Sequence, residues 1–506
     1  MSGRIRILMS SDVHGYIFPY SYADGKKARQ GFGALNHTIR RLKNENTILI
    51  DNGDVLEGSP FAYYHFEKHK NEPNPITAIM NHVGYDYFNL GNHDFNHGQE
   101  TLMKHVDGLN MPCLSANIIY KGKPLSKPYY LIKIADKHVA LFGVVTHFIP
   151  NWEKPEHIID FEFIDTLECA KDICKQIKEE GIADYVVGVY HGGFEREPDT
   201  GAELGGGEGE NQGYEMCRQI DNLDVLLTGH QHRSMKGVLF DTAFIQNYHQ
   251  GTELSFVEID TNTGKIETEI IKVDDEVDED LLKIAIDEEN ECQKWLDTPL
   301  GTSNVDLFIK DENDARLHKS QVVTFLNKVC LDVSKADISG NAIFLFAKGF
   351  ERNITMRDLV STYVFPNTLV VKKITGKVLR EYLEKDAEFW DVKDGRIIIE
   401  PSKDFPTPQV HNYDMLDGVE YEIKVSNPIG QRITKLTRNG VPVKDEDVLT
   451  LCINNYRAAG GGDYDMLKEC ETLKDIQRNV VELIAEYIEK HKVIDFEPVN
   501  NIDVII

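Results

Sequence analysis

From residue 4 to about 275, short apolar runs alternate with amphipathic stretches, and most of the apolar runs close on side chains that bind metals or move protons. The strand candidates are 4–10, 47–50, 86–90, 138–145, 184–190 and 224–228. Helix-like segments lie between them at 31–44, 73–83, 164–180 and 211–220. Such alternation predicts a layered α/β fold. The run Ile5–Met9 leads to "SSDVHG", with Asp12 and His14, and Ile48–Ile50 leads to "DNGD", with Asp54. Tyr87–Leu90 leads to "GNHDFN", with Asn92 and His93. Val186–Tyr190 leads to "HGG", with His191, and Val225–Leu227 to "TGHQH", with His230 and His232. Ligands in open α/β sheets gather beyond the carboxyl ends of the strands, so five loops are expected to converge on one crevice.

The residue types define the chemistry. Asp-x-His and His-x-His in extended backbone would place both side chains on one side. Imidazole, carboxylate and amide oxygen suit zinc, manganese or iron, and the lack of a thiolate argues against a structural zinc knot. Seven residues fill eight positions around two cations if one carboxylate bridges, and Asp54, in a glycine turn, is the natural bridge. The remaining 13 histidines, His147 and His249 among them, are assigned to surface or core.

A formal charge of −28 argues against a nucleic-acid polymer as partner. It fits a phosphorylated substrate only where bound cations reverse the sign locally. Two dications would do so, lowering the pKa of a water to roughly 7 and clamping an in-line displacement at phosphorus.

A chain of 506 residues has room for two or three domains. It shows no apolar run near the roughly 18 residues of a membrane helix, so no membrane partner is expected. "MSGRIRILMSS" meets polar Asp12 and His14 too soon for a signal peptide. The eight cysteines lack paired short spacings, which predicts free thiols and a cytoplasmic protein. The glycine-rich, acidic stretch 197–213 is a long surface loop that could serve as a lid. Acidic 274–297 reads as a solvated helix. Residues 316–333 form a helix read as the connector to a second, α+β domain of short strands (369–374, 396–399, 419–425, 447–453) and helices near 376–387 and 475–490. The expected organisation is a catalytic domain over 1–275, an acidic segment and linker helix over 276–333, and a substrate domain over 334–506.

"DVHG", "NGDVLEG", "GNHDFN", "YHGG" and "GHQH" resemble the five blocks of the calcineurin-like metallophosphoesterases. "FPNTLVVKKITGKVLREYLE", "YDMLDGVEYEI" and "INNYRAAGGGDYDM" resemble the second domain of the 5′-nucleotidase superfamily, within it the 2′,3′-cyclic-nucleotide 2′-phosphodiesterase/3′-nucleotidase branch. The resemblance implies a four-layer α/β/β/α catalytic domain joined by a linker helix to a smaller α+β domain. It implies one metal on Asp12, His14, Asp54 and His232, and another on Asp54, Asn92, His191 and His230. His93 would protonate or stabilise the departing oxygen, with Asn96 orienting it where the 5′-nucleotidase branch has an aspartate. Phe365 and Tyr464 match positions that sandwich a nucleobase, which would require domain closure with 316–333 as the hinge element. Phe344 stands where the 5′-nucleotidase branch carries an arginine, a departure that counts against tight 5′-monophosphate recognition. The expected activity is hydrolysis of nucleotide phosphate esters, foremost 2′,3′-cyclic nucleotides and 3′-nucleotides. The alternatives are a 5′-nucleotidase or nucleotide-sugar hydrolase and, more remotely, a non-catalytic nucleotide sensor.

Overall fold

Ile5, Ile7 and Met9 project from strand Arg4–Ser10 into a core shared with a second sheet, and that shared core organises the first half of the chain. The computed structural model describes residues 3–203, 209–365, 367–404, 409–476 and 478–506. It divides into two units, Met1–Cys292 and Gln293–Ile506.

In the first unit, one sheet runs in the order Ile266–Lys272, Glu253–Asp260, Arg4–Ser10, Thr47–Asp51, Tyr87–Phe88. The other runs Met235–Leu239, Thr242–Gln246, Val225–Thr228, Tyr185–His191, Lys137–Val145, Tyr130–Ile134. Ile48 and Ile50 from the first sheet meet Val139, Leu141, Val187, Val189, Val225 and Leu227 from the second in one dry cluster. These strands are apolar on both faces, as strands covered on both sides must be. The opposite face of the second sheet, through Ala140, Phe142 and Val144, packs on helix Thr166–Glu180. That helix buries Ala170, Ile173, Cys174 and Ile177, a spacing that lines one side of a helix. Asp165 caps its start by accepting from Glu168 N–H, and Gly181 ends it in the left-handed region at φ 62°. The parallel pairings of Arg4–Ser10 with Thr47–Asp51, and of Tyr185–His191 with Val225–Thr228 and Lys137–Val145, put the carboxyl ends of successive strands side by side.

The second unit holds a mixed five-stranded sheet, ordered Met415–Asp417, Ile338–Asn341, Val448–Asn454, Leu369–Thr375, Thr472–Ile476. Beside it stands a four-stranded sheet that includes Glu420–Lys424 and Ile502–Ile505. Among the described residues, no helix is long and apolar enough to cross a membrane. All eight cysteines are free thiols.

Two expectations change. Helix Gln321–Ser334 lies inside the second unit and buries Val322, Val323, Phe325, Leu326, Val329 and Cys330. With buried Thr324 and Asn327 on the flank beyond them, these positions enclose more than one side of the helix, so it is a core element rather than a connector, and the units divide between residues 292 and 293. The acidic stretch is not simply solvated either. It forms helices Glu279–Leu282 and Ile286–Leu296, in which Leu281, Cys292 and Leu296 are fully buried. The Glu289 carboxylate is also buried, where it accepts from the Tyr20 and Tyr22 hydroxyls.

Candidate active site

Five of the seven expected ligands sit in left-handed backbone: Asp12 (φ 57°), His14 (φ 54°), Asp54 (φ 57°), His230 (φ 69°) and His232 (φ 52°). A non-glycine residue adopts that region at a cost that the surroundings must offset, and such strain clusters at functional sites. It also corrects the expectation of extended Asp-x-His and His-x-His segments. The paired side chains converge because the backbone turns sharply after each strand, not because extended residues alternate.

Backbone contacts stitch the loops together. Asp12 N–H donates to Gly53 O at 3.0 Å, and His14 N–H to Asp54 O at 2.8 Å. Asn52 donates to Tyr190 O at 3.1 Å, linking the two sheets at their carboxyl ends. Asp94, which the sequence reading left without a role, accepts from Asp54, Val55, Leu56 and Gly91 N–H at 2.8–3.1 Å. One buried carboxylate thereby fixes the Asp54 loop against the Asn92 loop.

Among the described residues the side chains form two candidate metal groups, Asp12 with His14 and His232, and Asp12 with Asp54 and His191. His14 Nε2 and His232 Nε2 lie 2.9 Å apart, while His14 Nδ1 donates to Glu57 O at 2.7 Å. The Nε2 lone pair of His14 is therefore directed toward the group. Burial and the neighbouring His232 hold the His14 pKa down to about 4, so the ring is neutral at pH 7. His191 Nδ1 donates to Asn52 O, and its Nε2 faces Asp54 Oδ2 at 3.2 Å. Those last two atoms are buried and make no well-formed hydrogen bond, facing each other only as an ion pair, with Asp12 Oδ1 3.8 Å from the ring nitrogen, an arrangement that leaves both open to a further partner. Burial alone would suppress charge on His191, but Asp54 and Asp12 raise its pKa to about 10. Burial would likewise raise Asp54, yet His191 and His93 hold it well below the carboxylate range.

His230 Nδ1 lies 2.8 Å from Asn92 Oδ1, and its Nε2 lies 3.2 Å from Glu210 Oε1. His191 and His230 stand edge to face, 5.7 Å between ring centres. All seven predicted ligands are thus brought together. Asp12 belongs to both groups, whereas Asp54, the expected bridge, belongs to the second only. Oxygen and imidazole donors, two of them buried without a well-formed hydrogen bond, fit divalent cations.

His93 stands 5.5 Å from His14 between ring centres, and its backbone N–H donates to Asp54 Oδ1 at 2.7 Å. Its Nδ1 meets Asn96 Oδ1 at 2.8 Å.

Several neighbours went unseen in the sequence. Trp152 lies 5.5 Å from the His230 ring, and His249, assigned to surface or core, stacks on His232 at 4.5 Å. Glu210 comes from the loop read as a possible lid; residues 204–208 of that loop lie outside the described residues. Trp152 and Glu210 lie in loops well away from a strand end, and His249 follows strand Thr242–Gln246, which the apolar pattern did not mark.

In the second unit, Phe365 is 39% exposed and rests edge-on against buried Phe344, the residue in the arginine's place, at 5.1 Å. Tyr464 does not match its expectation, because it is 0% exposed. The Arg457 guanidinium lies 3.8 Å from its ring centre and Tyr382 packs at 4.8 Å. Its hydroxyl donates to Asp386 and lies 2.8 Å from Asn412 O. A ring so enclosed, with its hydroxyl satisfied, belongs to the core and offers a base no face.

Thiolate-free donors gathered where two facing sheets release their loops place the chain among the metal-dependent phosphoester hydrolases. Residues 5–234 match the calcineurin-like phosphoesterase family, and residues 299–469 match the 5′-nucleotidase C-terminal domain. A putative 5′-nucleotidase from Staphylococcus aureus, solved in complex with alpha-ketoglutarate, superimposes with a TM-score of 0.92 at 34% identity. The match covers 99% of this chain and 100% of that one. A 2′,3′-cyclic-nucleotide 2′-phosphodiesterase/3′-nucleotidase from Yersinia enterocolitica is 25% identical, over 90% of this chain and 81% of its own. A 5′-nucleotidase from Vibrio cholerae is 22% identical, over 97% and 91%. The chain belongs to the 5′-nucleotidase family of calcineurin-like phosphoesterases.

Proposed function

We propose that this enzyme hydrolyses 2′,3′-cyclic nucleotides and 3′-nucleotides at a site holding two divalent cations. The observation that carries the metal site is the pair of buried atoms without a well-formed hydrogen bond, Asp54 Oδ2 and His191 Nε2, amid five further donors. Asp12, His14, Asp54 and His232 would hold one cation, and Asp54, Asn92, His191 and His230 the other, with Asp54 as the bridge. Such cations, when bound, supply Lewis-acid stabilisation of a phosphoryl group and lower the pKa of a water to roughly 7.

The protein's own residues supply the rest. His93 Nδ1–H donates to Asn96, which leaves Nε2 on the far side of the ring to give a proton to the departing ester oxygen. Phe365 offers an exposed face for a base, and stacking of that kind is worth roughly 1–3 kcal/mol. Asparagine at 96 and phenylalanine at 344 favour cyclic and 3′-esters over 5′-monophosphates, in line with the relative from Yersinia enterocolitica. A 5′-nucleotidase reading draws support from the structural neighbour of Staphylococcus aureus at 34% identity. The eight free thiols suit a cytoplasmic setting.

The deciding experiment compares 2′,3′-cAMP, 3′-AMP and 5′-AMP under one condition, with zinc, manganese and iron content measured. We expect kcat/KM to favour the first two. Preference for 5′-AMP would establish the second reading, and inactivity on all three with full metal loading would reject both.

A further inference from the structure

Behind Asn96 stands a buried carboxylate that no motif announced. Asn96 Nδ2 donates to Glu153 Oε2 at 2.7 Å, and the Glu153 side chain is only 6% exposed. The other oxygen, Oε1, accepts from His157 Nδ1 at 2.7 Å and from Lys154 N–H at 2.8 Å. On the reading that His93 protonates the departing oxygen, we propose that Glu153 is a positioning residue for that step. It locks the Asn96 amide with its oxygen toward His93 Nδ1.

An ionised carboxylate only accepts hydrogen bonds, so the amide edge that touches Glu153 must be the NH2. The carbonyl oxygen then has to face His93, and the ring has to carry a proton on Nδ1. With that proton fixed, the ring can take a second at Nε2. As the ester P–O bond breaks, the Nε2–H bond breaks too and an O–H bond forms on the departing oxygen. The ring returns to its neutral Nδ1–H form. A flipped amide would present its NH2 to Nδ1 and demand a lone pair there. The neutral ring would then hold its only proton on Nε2 and could release it only by becoming an anion. Glu153 thus excludes the unproductive arrangement.

Glu153 also supplies a negative charge one residue farther from the ring than an aspartate at 96 would. Burial alone would raise its pKa, but His157, the Lys154 N–H and Asn96 together hold it below the usual range, so it is ionised at neutral pH.

The test uses the full zinc-loaded chain. In Glu153→Gln the new amide oxygen turns to the side with two donors, His157 and Lys154 N–H, and its NH2 meets Asn96 and flips it. We expect kcat for 3′-AMP, whose leaving group is an alkoxide, to fall about 10-fold, part of the roughly 10²–10⁴-fold that general-acid catalysis contributes. KM and zinc content should hold. Turnover of bis-p-nitrophenyl phosphate, whose leaving group needs no proton, should change less than about twofold. Adding Asn96→Asp to Glu153→Gln should restore 3′-AMP turnover, because the carboxylate accepts from both the glutamine NH2 and His93. An equal loss on both substrates, loss of zinc, or failure of the double variant to recover would overturn the proposal. Imidazole ¹⁵N NMR provides a readout without turnover. His93 should carry its proton on Nδ1 in the native protein and on Nε2 in Glu153→Gln, and identical spectra would overturn the proposal. Failure of the phosphoesterase reading would show separately, as a native enzyme inactive on both substrates.

Discussion

Removing the His93 ring takes away the proton donor but none of the seven candidate ligands. His93→Ala should therefore retain its metals while kcat on nucleotide esters falls by roughly 10²–10⁴-fold, and steady-state kinetics beside elemental analysis check both halves. Asp54 tests a different question. Its Oδ1 accepts from His93 N–H, and its Oδ2 is buried without a well-formed hydrogen bond. If it bridges as proposed, Asp54→Asn loses occupancy at both positions, whereas loss of a single equivalent would move the bridge to Asp12, which lies in both groups. A Cβ at Gly91 would come 2.1 Å from Asp54 Oδ1 and 2.5 Å from its backbone nitrogen. The glycine of "GNHD" thus serves close approach of two loops rather than a turn alone.

At the scale of elements, Asp94 is the clamp between the loops that follow strands Thr47–Asp51 and Tyr87–Phe88. In Asp94→Asn one edge of the new amide becomes a donor facing two backbone N–H groups that lose their acceptor. Denaturant unfolding should show a loss of roughly 2–4 kcal/mol, with weaker metal retention because the Asp54 loop is released. Helices Pro75–Val83 and Gln99–Gly108 are joined by Thr77 Oγ1 and His105 Nδ1, 2.7 Å apart. Burial lowers the His105 pKa to about 4, against about 6.5 in an unfolded chain. As pH falls below 6.5 the unfolded chain takes up this proton and the folded one does not. The stabilising contribution is whole above pH 6.5 and fades toward pH 4, a change of about 3 kcal/mol. The stability difference between native and His105→Gln proteins should be flat above pH 7 and shrink between pH 6.5 and 4.5; parallel curves would refute this origin.

For the whole molecule, a net charge of −28 leaves a phosphate ester little reason to approach except where cations gather. Bound metals should also hold the first unit folded, by about 4 kcal/mol when the free ion stands at a thousand times its Kd. Calorimetry with and without EDTA should shift the transition of that unit and leave that of the second in place. Much of this was legible from local pattern. The alternation of apolar runs placed strands Arg4–Ser10, Tyr185–His191 and Val225–Thr228 within a residue of their observed bounds. Polar residues closing five of the six runs marked Asp12, His14, Asp54, Asn92, His93, His191, His230 and His232. Glu153 and Glu210 were illegible as site residues because each acts on a partner that only folding brings near, and their own neighbourhoods look like ordinary turns and loops; Asp94 stood inside "GNHDFN", but its role stayed hidden because the amides of Asp54, Val55 and Leu56 reach it only on folding. Tyr464 misled for the converse reason: beside three glycines it reads as exposed, yet Arg457 and Asp386 enclose it. The sequence by itself determined which atoms could take part, since ligand type and strand ends are local properties written in order along the chain. The tertiary structure alone decided which way those atoms face, because the left-handed turns, the tautomers and the amide orientations are set by hydrogen bonds between loops far apart in sequence.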